Sequence, residues 1–414
     1  MALNLDYRQC GYPEAELSQA VASLAEYCRE LKAVVSYESP ESFLLLPKDE
    51  NIFNEITACL VARRALGSDT DGVLLIGIGA SSLGTLAIAQ ALHSAKKLLV
   101  VDAVDEGLLK HVREILKAEY AQGKKYQTII VSKSGATLET LVNAGALGPF
   151  LKNLDSEFAS RILVITDKST PLWEYAAQQG WKTIASLNPI SGRYSVFSPV
   201  VLAPLMFLGI DIGRFRAGAQ SMQDICLDPD VNKNPALWGA AATYLNYQHN
   251  KSTHALFFLN PLLRGLSRWW QQLISESLGK DGKGILPVLS EASDMHALSQ
   301  FYMDGPANVF TTFIELSSDA GTVLADVPLL PSLSGKKIEE VTQGINNGIR
   351  GAYIKKKLPH ITINFDDIDE ESLGAFCALK MLETVYLAKL MGVNAFDQPG
   401  VELYKQEVKS ILKL

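Results

Sequence analysis

The chain has 414 residues, 48% of them hydrophobic, and 38 basic against 45 acidic side chains give a formal charge of −7. That composition supplies the core of a globular protein of two or three domains and disfavours a nucleic-acid partner. The five cysteines (Cys10, Cys28, Cys59, Cys226 and Cys377) are scattered with no CxxC pair, which argues against a disulfide framework or a thiolate metal site and for reduced thiols in a cytosolic protein.

The opening MALNLDYRQC lacks a basic segment followed by an apolar one, so no signal peptide is expected. Apolar residues at three- and four-residue spacing predict helix through AELSQAVASLAEYCRELKAVV, at 15–35. From residue 73 the texture changes. VLLIGIG, KLLVVDA, YQTIIVS and RILVIT are apolar runs rich in Val, Ile and Leu, as in strands buried on both faces. Helical patterns lie between them: LGTLAIAQALH, DEGLLKHVREILKAEY, ATLETLVNAGAL and PLWEYAAQQG. Strands alternating with helices predict a parallel sheet in a three-layer α/β domain. The longest apolar run, VFSPVVLAPLMFLGI at 196–210, is too short for a membrane span and carries Pro199 and Pro204. DICLDPDVNKNP, at 224–235, is the best linker. Beyond it, THALFFL, GKGILPVLS, NVFTTFIEL and HITINF resemble strands. Helical patterns at 236–250, 264–279, 336–350 and 371–391 complete a second α/β half.

The stretch VLLIGIGASSLG, at 73–84, ends a strand in a glycine turn before a helix. Such a turn aims backbone N–H groups and a helix dipole at an anion. A dinucleotide fingerprint needs G-x-G-x-x-G with an acid about 20 residues on. Here the third position is Ser82, and Asp102 ends the next strand. A dinucleotide turn, an empty structural turn and a phosphate cradle all fit this loop alone. VSKSGATLET, at 131–140, favours the third reading. It offers the hydroxyls of Ser132, Ser134 and Thr137, the cation Lys133 and the turn-former Gly135. Two hydroxyl-rich loops on one edge of a parallel sheet suit a single phosphate monoester.

These loops resemble the sugar isomerase (SIS) domain, and further blocks resemble the phosphoglucose isomerase family. The blocks are IGIGASSLG at 76–84, SKSGATLET at 132–140, SGRYSVFSPV at 191–200, WWQQLISESLGKDGKG at 269–284, SDMH ending at His296, and NAFDQPGVELYK at 394–405. They run in family order across nearly the whole chain. The resemblance implies a mixed α/β fold of two SIS-type three-layer domains with mainly parallel sheets. The expected division is an N-terminal helical segment at 1–54, a first domain with the phosphate loops at 55–225, a second at 226–393 and a C-terminal helical arm at 394–414. It also implies a cytoplasmic homodimer that interconverts glucose 6-phosphate and fructose 6-phosphate in glycolysis and gluconeogenesis, without a metal or organic cofactor.

An aldose–ketose isomerase opens a cyclic sugar, moves a proton between C1 and C2, and stabilises the enediolate formed between them. Moving the C–H proton needs a positioned base. The resemblance assigns that role to Glu276, with Gln272 one helical turn earlier contacting the sugar. Arg193 matches the family's stabiliser of developing negative charge, a role suited to a group that stays protonated. His296 matches the ring-opening imidazole, contributed across the dimer interface, and Lys405 its helper on the C-terminal arm. Gly192 and Gln398 would contact substrate. Ser81, Ser132, Ser134 and Thr137 would hold the phosphate, with Lys133 close by. The family's usual glycine is replaced by Ala80 and by Ser191, so a Cβ in the first loop threatens either crowding of the phosphate or a forbidden positive φ.

Two other functions share these motifs. A broader phosphosugar isomerase accepting mannose 6-phosphate would differ in the space near C2. A non-catalytic sugar-phosphate sensor would not need Glu276, Arg193 and His296 together.

Overall fold

In the computed structural model, the described residues are 3–65, 69–228, 230, 232–317 and 321–414, with the side chains of 63–65 excepted. Of the expected linker, Pro229 and Val231 lie outside them. The chain falls into two units, Ala33–Gln220 and Met1–Lys32 joined with Ser221–Leu414.

In Ala33–Gln220 the apolar runs become β2 (Gly72–Ile76), β3 (Lys97–Val101), β4 (Tyr126–Val131) and β5 (Ile162–Thr166), followed by β6 (Lys182–Ala185). All pair in parallel, in the order β3-β2-β4-β5-β6. Burial of every residue in β2, β4 and β5 explains why these segments show no alternation in sequence. One core layer joins Leu74, Ile76, Val101, Ile130 and Val164 to helix residues Val112, Leu116, Leu147 and Leu151. The helix carrying Val112 and Leu116, Glu106–Tyr120, starts at Asp105, whose carboxylate accepts from the Leu108 N–H at 2.7 Å. The Pro199–Phe207 run is a helix with every residue buried, so its hydrophobicity serves the core. Among the described residues no helix is long and apolar enough to cross a membrane.

In the other unit the order is β1-β10-β9-β7-β8, from β1 (Leu3–Asp6), β7 (Thr253–Phe258), β8 (Leu286–Glu291), β9 (Val309–Leu316) and β10 (His360–Phe365). Only β1 is antiparallel. The N-terminal segment, read as helical, thus adds an edge strand, Leu3 pairing with Phe365 and Asp6 with Thr362. Its helical pattern holds in two pieces, Glu14–Ala22 and Ala25–Lys32. The fold is therefore mixed α/β with two mainly parallel sheets. All five cysteines are buried, and none is joined to another.

Strand order decides where a ligand can enter. In the first sheet the connection from β2 leads outward to β3, while β4 and its successors build in the opposite direction. The chain reverses direction between β2 and β4, and the crevice beyond their carboxyl ends lies at that point. In the second sheet the reversal lies between β7 and β9.

Candidate active site

The loops after β2 and β4 flank the first reversal point. After β2 the backbone turns at Gly77, where a Cβ would come within 2.8 Å of the Ser81 Cβ. Gly79 takes the left-handed φ of +60° that the turn needs. Ala80 has no positive φ, so the residue that departs from the family's usual glycine carries no backbone strain. Ser81 is half-buried, whereas Ser82 is fully buried and its hydroxyl lies 3.3 Å from the Gly79 carbonyl, where it closes the turn.

After β4 the buried Ser132 donates its hydroxyl to Thr137 Oγ1 at 2.9 Å and accepts from the Thr137 N–H at 3.3 Å. Ser134 is exposed and accepts from the Ala136 N–H. Gly135 sits at φ +63°, and a Cβ there would lie 2.6 Å from the Thr170 Cβ, so both conformation and space demand glycine. Lys133 has a local task. Its ammonium donates to the carbonyls of Asn188 at 2.8 Å and Ile190 at 2.9 Å. Burial pushes its pKa down, with nearby Asp167 acting in the other direction.

That lysine therefore ties the second loop to a third, which continues into the turn Gly192–Tyr194. Ser191 is in ordinary extended backbone, φ −63° and ψ 144°, so its lack of glycine freedom costs nothing. Arg193 is 2% exposed, with its guanidinium over the Tyr194 ring at 5.6 Å. Ser195 donates to the Gly192 carbonyl at 2.7 Å. A Cβ on Gly192 would stand 3.0 Å from the Ala80 Cβ, so the first and third loops are in direct contact. Ser81, Ser132, Ser134, Thr137, Gly192 and Arg193 are thus borne on three loops fastened to one another.

The other unit carries the remaining candidates. Helix Gly265–Leu278 follows β7 and buries Leu266, Trp269, Trp270, Leu273 and Ile274. Flanking that buried face are half-buried Gln272 and Glu276, one turn apart, and Gln272 Nε2 donates to Glu276 Oε1 at 2.8 Å. The helix ends at Gly279, where a Cβ would lie 2.8 Å from the Ser275 carbonyl oxygen. The next residue, Lys280, is a structural fastener that sequence reasoning missed. Its side chain is 6% exposed and donates to the Asn394 carbonyl, the Asp397 carbonyl at 2.6 Å and Asp397 Oδ1 at 2.6 Å. Half-buried Gln398 follows directly. The signal was available, since a lysine one residue past a helix end in a glycine-rich segment has carbonyls within reach, but the partners lie 114 and 117 residues away.

His296 closes the short turn Ala292–His296 after β8 and is exposed. Lys405 lies on the C-terminal helix Gly400–Leu412, in which no residue is buried, and its ammonium contacts Glu402 at 2.8 Å. Within their unit, Glu276, Gln272 and Gln398 are linked through the end of one helix, while His296 and Lys405 stand on exposed elements.

Comparison with known proteins gives the family and the fold. The family model described as Phosphoglucose isomerase matches residues 51–288. A glucose-6-phosphate isomerase from Parabacteroides distasonis is 32% identical over 369 residues, covering 84% of this chain and 81% of that protein. A hypothetical protein from Thermus thermophilus, known by crystal structure, superposes with a TM-score of 0.90 at 28% identity over 99% of both chains. The crystal structure of a glucose-6-phosphate isomerase from Chlamydia trachomatis has the same fold, with a TM-score of 0.82 at 18% identity over 100% of this chain and 88% of that one. The chain belongs to the phosphoglucose isomerase family.

Proposed function

We infer that the chain is a glucose-6-phosphate isomerase, interconverting glucose 6-phosphate and fructose 6-phosphate in glycolysis and gluconeogenesis. Family membership carries the reaction; the residue roles that follow are our reading of the site. The hydroxyls of Ser81, Ser132, Ser134 and Thr137, with the N–H groups of their loops, hold the phosphate dianion. Lys133 contributes by anchoring the loop at 188–190. Phosphate binding fixes the far end of the sugar and so positions C1 and C2. His296 and Lys405 open the ring by moving a proton between the anomeric hydroxyl and the ring oxygen.

Glu276 then removes the C2 proton of the open aldose. The electron pair of that C–H bond forms the C1–C2 double bond, and the carbonyl oxygen gains the negative charge that Arg193 stabilises. The proton of the C2 hydroxyl passes to the C1 oxygen, and return of the first proton to C1 then leaves C2 as the carbonyl of the ketose. Gln272 holds the Glu276 carboxylate through the hydrogen bond at 2.8 Å, the observation that most supports this assignment. Gly192 and Gln398 contact the sugar. The protein works as a cytoplasmic homodimer, with His296 supplied across the interface, which suits a histidine that is exposed in the single chain.

The test is conversion of fructose 6-phosphate to glucose 6-phosphate by the purified protein, followed in heavy water. Turnover with deuterium entering the product at C2 is expected. Binding without turnover would support a sugar-phosphate sensor. Comparable turnover of mannose 6-phosphate would support the broader isomerase.

A further inference from the structure

Exposure sets a problem for His296. Packing fixes a buried side chain, but this imidazole stands in the open, so its aim depends on the backbone that carries it. The motif SDMH, at 293–296, supplies that backbone. Met295, on one side of the histidine, and Leu298, on the other, pack against the core cluster that contains Phe257, Tyr302 and Phe313. The Tyr302 hydroxyl lies 2.6 Å from Ser290 Oγ, both buried, so the floor under the turn is tied to the end of β8.

Between these anchors Asp294 folds the chain. Asp294 Oδ2 accepts from the Glu291 N–H at 2.7 Å. The Glu291 side chain accepts in return from the Asp294 N–H, and this reciprocal pair closes the start of the turn. The Asp294 carbonyl accepts from the N–H groups of Ala297 at 3.0 Å and Leu298 at 2.7 Å, which closes the far end around His296. A single residue therefore holds both ends of the segment at 291–298, through its side chain on one and its backbone on the other.

Glu291 extends the arrangement. Its Oε2 lies 3.6 Å from Arg264 Nη1, and Arg264 immediately precedes the helix Gly265–Leu278 that bears Glu276. The two side chains are 60% and 45% exposed, so this ion pair adds little, and the bonds of Asp294 are the main restraint. A methyl in place of that carboxylate would leave the Glu291 N–H without its partner and let the turn fray.

We propose that Asp294 is a positioning residue for ring opening: by folding the segment at 291–298 it aims the His296 imidazole, and it does not itself touch the sugar. The proposal rests on the reading of His296 as a ring-opening group.

The test compares the full chain on two substrates, fructose 6-phosphate and 5-deoxyfructose 6-phosphate, with isomerisation followed by proton NMR. The second lacks the C5 hydroxyl that attacks C2, and its terminal oxygen carries the phosphate, so it has no ring to open. Wild type should convert both. Asp294→Ala should keep the circular dichroism spectrum, lose at least about tenfold in kcat/KM on fructose 6-phosphate, and stay close to wild type on the open substrate. Asp294→Asn, which keeps an acceptor for the Glu291 N–H, should recover most of the loss. Equal loss on both substrates in Asp294→Ala would make the residue merely structural and overturn the proposal. Unchanged turnover of fructose 6-phosphate in Asp294→Ala, or no recovery in Asp294→Asn, would overturn it as well. His296→Ala should show the same selectivity for the open substrate. Equal loss on both substrates in that variant would overturn the ring-opening reading and the proposal with it, whereas no turnover of fructose 6-phosphate by wild type would overturn the isomerase assignment itself.

Discussion

Two residues in the first and third loops are matched by contact. A Cβ added at Gly192 would stand 3.0 Å from that of Ala80, so a side chain there crowds the contact and removal of the Ala80 methyl relieves it. Gly192→Ala should raise KM for fructose 6-phosphate severalfold by pushing the loops apart, and the double variant Ala80→Gly/Gly192→Ala should recover most of the loss. Equal KM for Gly192→Ala and wild type would show that the contact has no bearing on the site. The sequence displayed the serines, the arginine and the glycines, because their types and spacing carry the chemistry. It did not display that Lys133 donates to the carbonyls of Asn188 and Ile190, since those partners come from a different loop.

His254 is a further residue whose state follows from its surroundings. It is buried between the rings of Trp270 and Phe310, with Nε2 2.7 Å from Thr312 Oγ1. Burial, reinforced by the charge of Lys380, pushes its pKa from 6.5 down to about 3. The folded protein thus refuses a proton that the unfolded chain accepts below about pH 6.5. Stability from this group is complete above that pH and is lost as pH falls towards 3. The loss between pH 7.5 and 5 is about 2 kcal/mol. His254→Gln should flatten that part of the pH dependence in urea unfolding, whatever its effect at pH 7.5. An unchanged slope would show that the imidazole does not titrate in this way.

At the scale of elements, the helix carrying Glu276 is fixed at its end as well as along its buried face. The Lys280 ammonium joins that end to the segment at 394–397, just before Gln398. Lys280→Met should leave the circular dichroism spectrum unchanged and lower kcat/KM at least tenfold, while Lys280→Arg should restore part of it. Wild-type kinetics in Lys280→Met would show that the clamp is dispensable. Strong elements were readable throughout: the buried runs of β2, β4, β5, β7, β9 and β10 have the length and branching of parallel strands. Two strands were not. β1 and β6 are four residues each, lie at sheet edges and mix polar with apolar side chains, so their pairing partners define them more than their own composition. The interruption of the first helical pattern at 23–24 was likewise hidden, because apolar spacing continues across it.

For the whole molecule, each unit supplies a different part of the proposed chemistry. Ala33–Gln220 bears the phosphate loops and Arg193, and the other unit bears Glu276, Gln272, His296, Gln398 and Lys405. In the sequence, SKSGATLET and GRYS precede the helix that carries Glu276. Strand order, which puts the loops after β2 and β4 at a reversal point, required the structure. The central claim is that Glu276 moves the proton, and Glu276→Gln tests it most directly because it keeps the shape of the side chain. With fructose 6-phosphate binding measured by calorimetry and turnover by a coupled assay, the account predicts binding within a few-fold of wild type and kcat lower by about 10²–10⁴-fold. Near-normal kcat in Glu276→Gln would contradict it.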